Sequence, residues 1–176
     1  MKKNLLLLLS SVFLASSAYA SDITVNGDVP EFTHFEWVGG VQETATTGVA
    51  SSDLVVSIGS KTGVEIENQL LDTKPVALTT NHGKAISIST GSAHLTDAGS
   101  NTVPLVIKWL PAAGTYGTDD VVVSNGDTTN TVNIYSGGVI EDTHVGSVLL
   151  LGGDFGSTKL QAGSVSGTTA LTITVN

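Results

Sequence analysis

Short alternating or β-branched runs recur at intervals of roughly 8 to 12 residues, Gly, Asn and Asp turns divide them, and no stretch carries a capped helical stripe. Together these predict an all-β chain, a β-sandwich of immunoglobulin-like topology. An up-and-down barrel is the alternative on the same observations, whereas a propeller needs a clear repeat that is missing from so short a chain.

Residues 1–20 read as an export leader and not as an element of the fold. Lys2 and Lys3 form a positive start, Leu5 to Leu9 with Val12, Phe13 and Leu14 an apolar stretch, and Ala18-Tyr19-Ala20 an A-x-A end, which places cleavage between Ala20 and Ser21. That stretch is too short for a hydrocarbon layer of about 30 Å. The mature protein is expected to begin near Ser21, soluble and outside the cytoplasm. Its 156 residues suit one domain, expected over 31–176, and are enough to bury a core without staples. The chain has no cysteine, so no disulfide, thiol nucleophile or thiolate metal site is available.

The charge is acidic and arginine is absent. Without the leader, five lysines stand against 16 acidic residues, a formal charge of −11. Recognition of phosphates leans on clustered Lys and Arg, so nucleic acid and anionic membrane surfaces are poor candidates as partners and no nucleic acid is expected. Acidic side chains that keep an exported protein soluble account for the excess.

The elements follow in order. Ile23-Thr24-Val25-Asn26-Gly27-Asp28-Val29 alternates, placing Ile23, Val25, Gly27 and Val29 on one face of a strand that Pro30, lacking an N–H, would end. Gly27 weakens an ordinary strand but suits one that enters a groove with no room for a side chain. Phe35 and Trp37 alternate with His34 and Glu36, and Glu43 to Val49 is the best candidate for a mobile loop. Leu54 to Ile58, Val64 to Ile66, Ala85 to Ile88 and Val132 to Tyr135 read as strands; Val103 to Leu110, Val121 to Val123 and Val148 to Leu151 are aliphatic enough to be covered on both faces. Gly39-Gly40, Asn81-His82-Gly83, Ser124-Asn125-Gly126-Asp127, Gly137-Gly138 and Gly152-Gly153-Asp154 mark the turns. Ala170 to Val175 alternates again. An alternating strand at each end leaves a sandwich with a seam to close and a strand able to close a neighbour's, which predicts a subunit that polymerises.

At these residues the chain resembles a known family. Asp22-Ile23-Thr24-Val25-Asn26-Gly27-Asp28-Val29-Pro30 is similar to the N-terminal extension of fimbrial major subunits of the alpha clade, the colonisation-factor type built by the chaperone–usher pathway, with the proline one position early. Leu95-Thr96-Asp97, the strand Asn101 to Trp109, and Gln161-Ala162-Gly163-Ser164 to Val175 extend the likeness over most of the mature chain. The resemblance implies an incomplete immunoglobulin-like fold over 31–176, missing its last strand, and a donor-strand extension at 21–30 that completes a neighbouring subunit. It implies as donor anchors Ile23, Val25 and Val29, with Gly27 at the constricted position, and as acceptor groove Leu171, Ile173 and Val175. The implied partners are identical subunits in a head-to-tail filament, a periplasmic chaperone, an outer-membrane usher, a tip adhesin and a host receptor. The implied destination is a fimbria on the cell surface, reached through the periplasm, and the single domain with a donor strand reads as a shaft subunit.

Enzymatic chemistry finds little support, and no catalytic residue, cofactor or metal is expected. Asp119 and Asp120 are adjacent and so point to opposite faces of an extended chain. Asp97 with Ser100 and Asn101, and Asn125 to Asp127 with Asn130, offer oxygen ligands without the calcium-loop spacing and read as turns. His34, His82, His94 and His144 stand alone, Gly152 to Gly156 lacks the basic residue and helix of a phosphate loop, and no G-x-S-x-G elbow occurs. The alternative function is an exported sandwich that binds carbohydrate or a receptor without polymerising. Trp37 and Trp109 read as core, which leaves Tyr116, between Gly114 and Gly117, as the aromatic for such a surface contact.

Overall fold

Period-2 alternation becomes strand along most of the chain: β1 (Thr33–Trp37), β2 (Gln42–Ala45), β3 (Val49–Ser60), β4 (Leu70–Thr80), β5 (Ile86–Thr90), β6 (His94–Thr96), β7 (Thr102–Pro111), β8 (Val121–Asn125), β9 (Thr128–Thr129), β10 (Val132–Tyr135), β11 (Ile140–Gly152) and β12 (Ser164–Val175). The computed structural model describes residues 33–37, 42–45, 49–60, 65–81 and 83–176. Every strand pairing among them is antiparallel. The fold is all-β, consistent with a β-sandwich.

One ladder runs β2-β1-β4-β11-β7-β8-β9 and a second β10-β5-β12-β3. The short β6 links them, with Thr96 opposite Ser166 of β12 and Leu95 opposite Val103 of β7. A single apolar cluster draws on both ladders: Leu78, Leu105, Ile107, Trp109, Val148 and Leu150 from the first, Ile86, Ile88, Val132, Leu171 and Ile173 from the second. Each aliphatic side chain withdrawn fully from water contributes about 1.5–3 kcal/mol, so the cluster is the main source of stability in a chain without disulfides.

Along β7, buried Val103, Leu105, Ile107 and Trp109 alternate with half-buried Pro104, Val106, Lys108 and Leu110. The strand therefore has one core face, where the aliphatic run predicted cover on both. Val121 is 47% exposed, so β8 too has an open side, whereas Val148 to Leu151 is buried on both sides as expected. Gly146 of β11 explains how Trp109 fits: a Cβ there would stand 2.4 Å from the indole Cζ2 and 2.5 Å from the Leu110 carbonyl oxygen. Pro75 in β4 stands opposite Ser147 of β11.

Of Val64 to Ile66, predicted as a strand, Val64 lies outside the described residues, and Glu65 and Ile66 differ from the prediction. Residues 65–68 turn, the Gln69 N–H donates to the Ile66 carbonyl at 3.1 Å, and the Ile66 side chain is wholly buried in the turn. Three residues alternate too briefly to separate a strand from a turn that inserts one side chain into the core. Ser124 to Asp127 turns as expected: Gly126 and Asp127 are the two residues that join Asn125 of β8 to Thr128 of β9, with Gly126 at φ +58°.

Candidate functional site

The site begins from the alternation of β12. Val165, Gly167, Thr169, Leu171, Ile173 and Val175 are buried, and the residues between them are exposed or half-buried. Leu171, Ile173 and Val175 thus occupy the core face. The strand carries ladders along both edges. On one edge, Leu171, Ile173 and Val175 stand opposite Thr90, Ile88 and Ile86 of β5, and the Asn176 N–H extends the pairing to the Ala85 carbonyl at 2.9 Å. On the other edge runs β3, from Val49 opposite Thr174 to Ser60 opposite Ser164. The early strand beside β12, which sequence reasoning leaves open, is therefore β3.

The two edges differ in chemistry. Opposite Ile173 stand Ile88 on β5 and Ala50 on β3; opposite Leu171 stand Thr90 and Ser52. Val175 faces Ile86 on β5. The Thr90 hydroxyl is buried without a hydrogen-bond partner among the described residues. Further along, Thr169 donates through its hydroxyl to the Gly91 carbonyl at 3.3 Å. At Gly167 the β6 backbone comes so close that a Cβ would lie 2.5 Å from the His94 carbonyl oxygen.

Asp97 holds the approach to β12. One carboxylate oxygen accepts the N–H groups of Gly99 and Asn101, each at 2.8 Å; the other accepts the Asn101 amide at 2.8 Å and the Gln161 N–H at 2.5 Å. The Asn101 side chain and then the Gln161 N–H hold its pKa down at about 2, from 3.8, with burial opposing and the two remaining N–H groups assisting. The carboxylate that offered calcium ligands in the sequence instead ties the β6–β7 turn to the segment entering β12. Asp97 is the contact between these two segments. The spacing Asp97, Gly99, Asn101 signals the local turn, but nothing local signals Gln161.

Tyr116 lies in the loop between β7 and β8 and is 48% exposed. The loop is braced from within: the Asp119 carboxylate accepts the Thr115 N–H at 2.7 Å, and Asp120 accepts the Gly117 N–H at 3.1 Å and meets the Lys108 ammonium at 3.3 Å. The adjacent aspartates are thus turn braces with separate partners. His94 Nε2 stands 3.8 Å from Asp127, and among the described residues no three His, Asp or Glu side chains gather as metal ligands. Among those residues, too, no helix is long and apolar enough to cross a membrane.

Ala20, Ser21, Ile23, Val25, Gly27 and Val29, the expected cleavage and donor positions, lie outside the described residues, as does His82; of Trp37 only the backbone is described. The best-defined candidate site is therefore the β3–β12–β5 layer with its Asp97 clasp, and the braced Tyr116 loop is a separate surface. No family model matches the chain, and no curated protein or solved structure does so either.

Proposed function

We propose that the chain is the structural subunit of a surface fimbria, polymerised by donor-strand exchange and supporting adhesion to cells or surfaces. In this reading residues 1–20 direct export, 21–30 complete a neighbouring subunit, and 31–176 form an immunoglobulin-like domain that lacks its last strand. The observation that carries it is the alternation of Ile23, Val25, Gly27 and Val29 between a leader end and Pro30, ahead of a domain whose own C-terminal strand alternates to Val175. An all-β, antiparallel domain without cysteine supports it, because such a fold can accept a strand by backbone pairing alone.

Head-to-tail donation is heterologous and therefore propagates as an open filament. A periplasmic chaperone would cover the apolar groove before assembly, since an open edge above a core is an aggregation hazard. An outer-membrane usher, a tip adhesin and a host receptor complete the expected partners, and the subunit itself performs no catalysis.

The test is deletion of residues 21–30 from the exported chain. Fibres should disappear in electron microscopy, and fusing the same segment after Asn176 through a flexible linker should yield a stable monomer. Fibres formed by the deleted chain overturn the reading. A second reading, a non-polymerising module that binds carbohydrate or a receptor, is favoured by exposed Tyr116 on its braced loop. It requires glycan or receptor binding by the monomer that Tyr116→Ala removes.

A further inference from the structure

β4 and β11 pair from Leu70 and Leu151 at one end to Thr80 and Ile140 at the other, and each end exposes one large apolar side chain. Leu70 is 44% exposed. Val139, just before Ile140, is 78% exposed, the highest value of any large apolar residue described. Ten steps along β4 at about 3.3 Å put the two ends about 33 Å apart.

The tip that carries Val139 is held in place from three sides. Gly137, at φ +111°, comes so near the turn at 83–84 that a Cβ would lie 2.8 Å from the Gly83 carbonyl oxygen. A Cβ on Gly138 would lie 3.0 Å from the Tyr135 hydroxyl. Beyond the tip, the Asp142 N–H donates to the Thr79 hydroxyl at 2.9 Å, although Asp142 must adopt φ +41° to do so. The fold thus spends a strained residue and two close glycine contacts on a tip whose apolar side chain stands in water.

The place of the tip gives it a partner. Thr33 stands opposite Thr80 across the far edge of β4, so Thr33 and Ile140 flank the same residue, about 10 Å apart at two strand spacings. In the donor-strand reading, residues 21–30 lie within a neighbouring copy. The three Cα steps from Pro30 to Thr33 reach at most about 11 Å. The neighbour's surface must therefore come close to Thr33, and so to Val139. Head-to-tail repetition along the strand direction presents the neighbour's opposite end there, the end that carries Leu70.

We propose that Val139 of one copy packs against Leu70 of the next, an end-to-end apolar contact that sets the angle between successive subunits. The inference rests on the donor-strand reading and adds a second contact between residues outside the donor segment and its groove. Two side chains that each expose apolar surface in the separate subunit cover one another in the filament.

The absence of cysteine allows a direct test. A disulfide needs Cα atoms within about 7 Å, so Val139→Cys and Leu70→Cys cannot join within one copy, and a bond between them links two copies. The exported full chain carrying both substitutions is assembled, oxidised and run on denaturing gels with and without reductant. The controls are the two single variants and the chain carrying Thr118→Cys with Leu70→Cys, Thr118 being exposed on the loop between β7 and β8. Circular dichroism checks the fold, and sedimentation before oxidation checks that polymer has formed.

The expected result is a ladder of trimers and larger species that reductant collapses, at least tenfold above the Thr118 control, with neither single variant passing beyond a dimer. Sedimenting polymer that gives no ladder, or a ladder equal to the Thr118 control, overturns the inference while leaving the donor reading intact. Dimers from the single variants at the yield of the ladder also overturn it, because like residues then meet. If the unmodified chain forms no polymer, the donor reading and this inference fall together.

Discussion

Gly167→Ala tests the closest backbone approach around β12. The added methyl would lie 2.5 Å from the His94 carbonyl oxygen and 3.1 Å from Leu95 Cδ2, whereas ordinary van der Waals contact is 3.4–4 Å. Leu95 can shift a methyl, but the carbonyl belongs to the β6 backbone, which is paired with β7 on its other side. Relief of about 1 Å must come from parting β6 and β12 at Ser166 and Thr96, the pair that links the two ladders. Overpacking of this kind costs about 1–3 kcal/mol. At about 2–4 °C per kcal/mol for a chain of this size, the melting temperature should fall by about 2–12 °C. Gly83→Ala is the control: nothing lies within 4 Å of its added methyl, so restriction of the unfolded chain should leave it unchanged or up to about 1 kcal/mol more stable. Thermal and urea unfolding followed by circular dichroism measure both. If Gly167→Ala is as stable as Gly83→Ala, the β6–β12 contact does not restrict that position and the steric argument fails.

Two further outcomes follow from the polar groups near β12. Asp97 has its folded pKa depressed to about 2 from 3.8, so its stabilisation is complete above about pH 4 and is lost as the pH falls toward 2; Asp97→Asn should lower the urea midpoint at pH 7 and flatten its decline between pH 4 and 2, and an unchanged pH profile would remove Asp97 as the clasp. Thr90→Val replaces a buried hydroxyl that has no partner with a methyl of similar shape, so stability should hold or rise by up to about 1 kcal/mol; a loss of more than about 1 kcal/mol in the same unfolding assay would mean that the hydroxyl is satisfied.

The strands were legible wherever alternation was long enough to leave no second interpretation. The run Val103 to Leu110 is long enough to be a strand, although its aliphatic content predicted cover on both faces and only Val103, Leu105, Ile107 and Trp109 face the core; Leu171, Ile173 and Val175 alternate as expected, and all seven are buried. The turn at Gly126-Asp127 was legible because its glycine meets a backbone requirement, φ +58°, rather than a compositional tendency. Ile66 was misread because three residues cannot distinguish alternation from a single inserted side chain. Two bulge-like register shifts early in β11, between Ile140 and Thr143 and between His144 and Gly146, left no mark in the pattern, since their positions depend on the neighbouring strands.

Pairing obeys a different logic from facing. A period of two says which residues turn toward a core and says nothing about which strand lies alongside, because backbone ladders are chemically alike for every residue except proline. That is why Leu171, Ile173 and Val175 could be assigned a shared face from sequence while their neighbour, more than a hundred residues earlier in β3, could not. The same indifference makes strand exchange physically open: any extended segment can satisfy β12's N–H and C=O groups. What discriminates between one strand and another is the side chains set opposite the core residues.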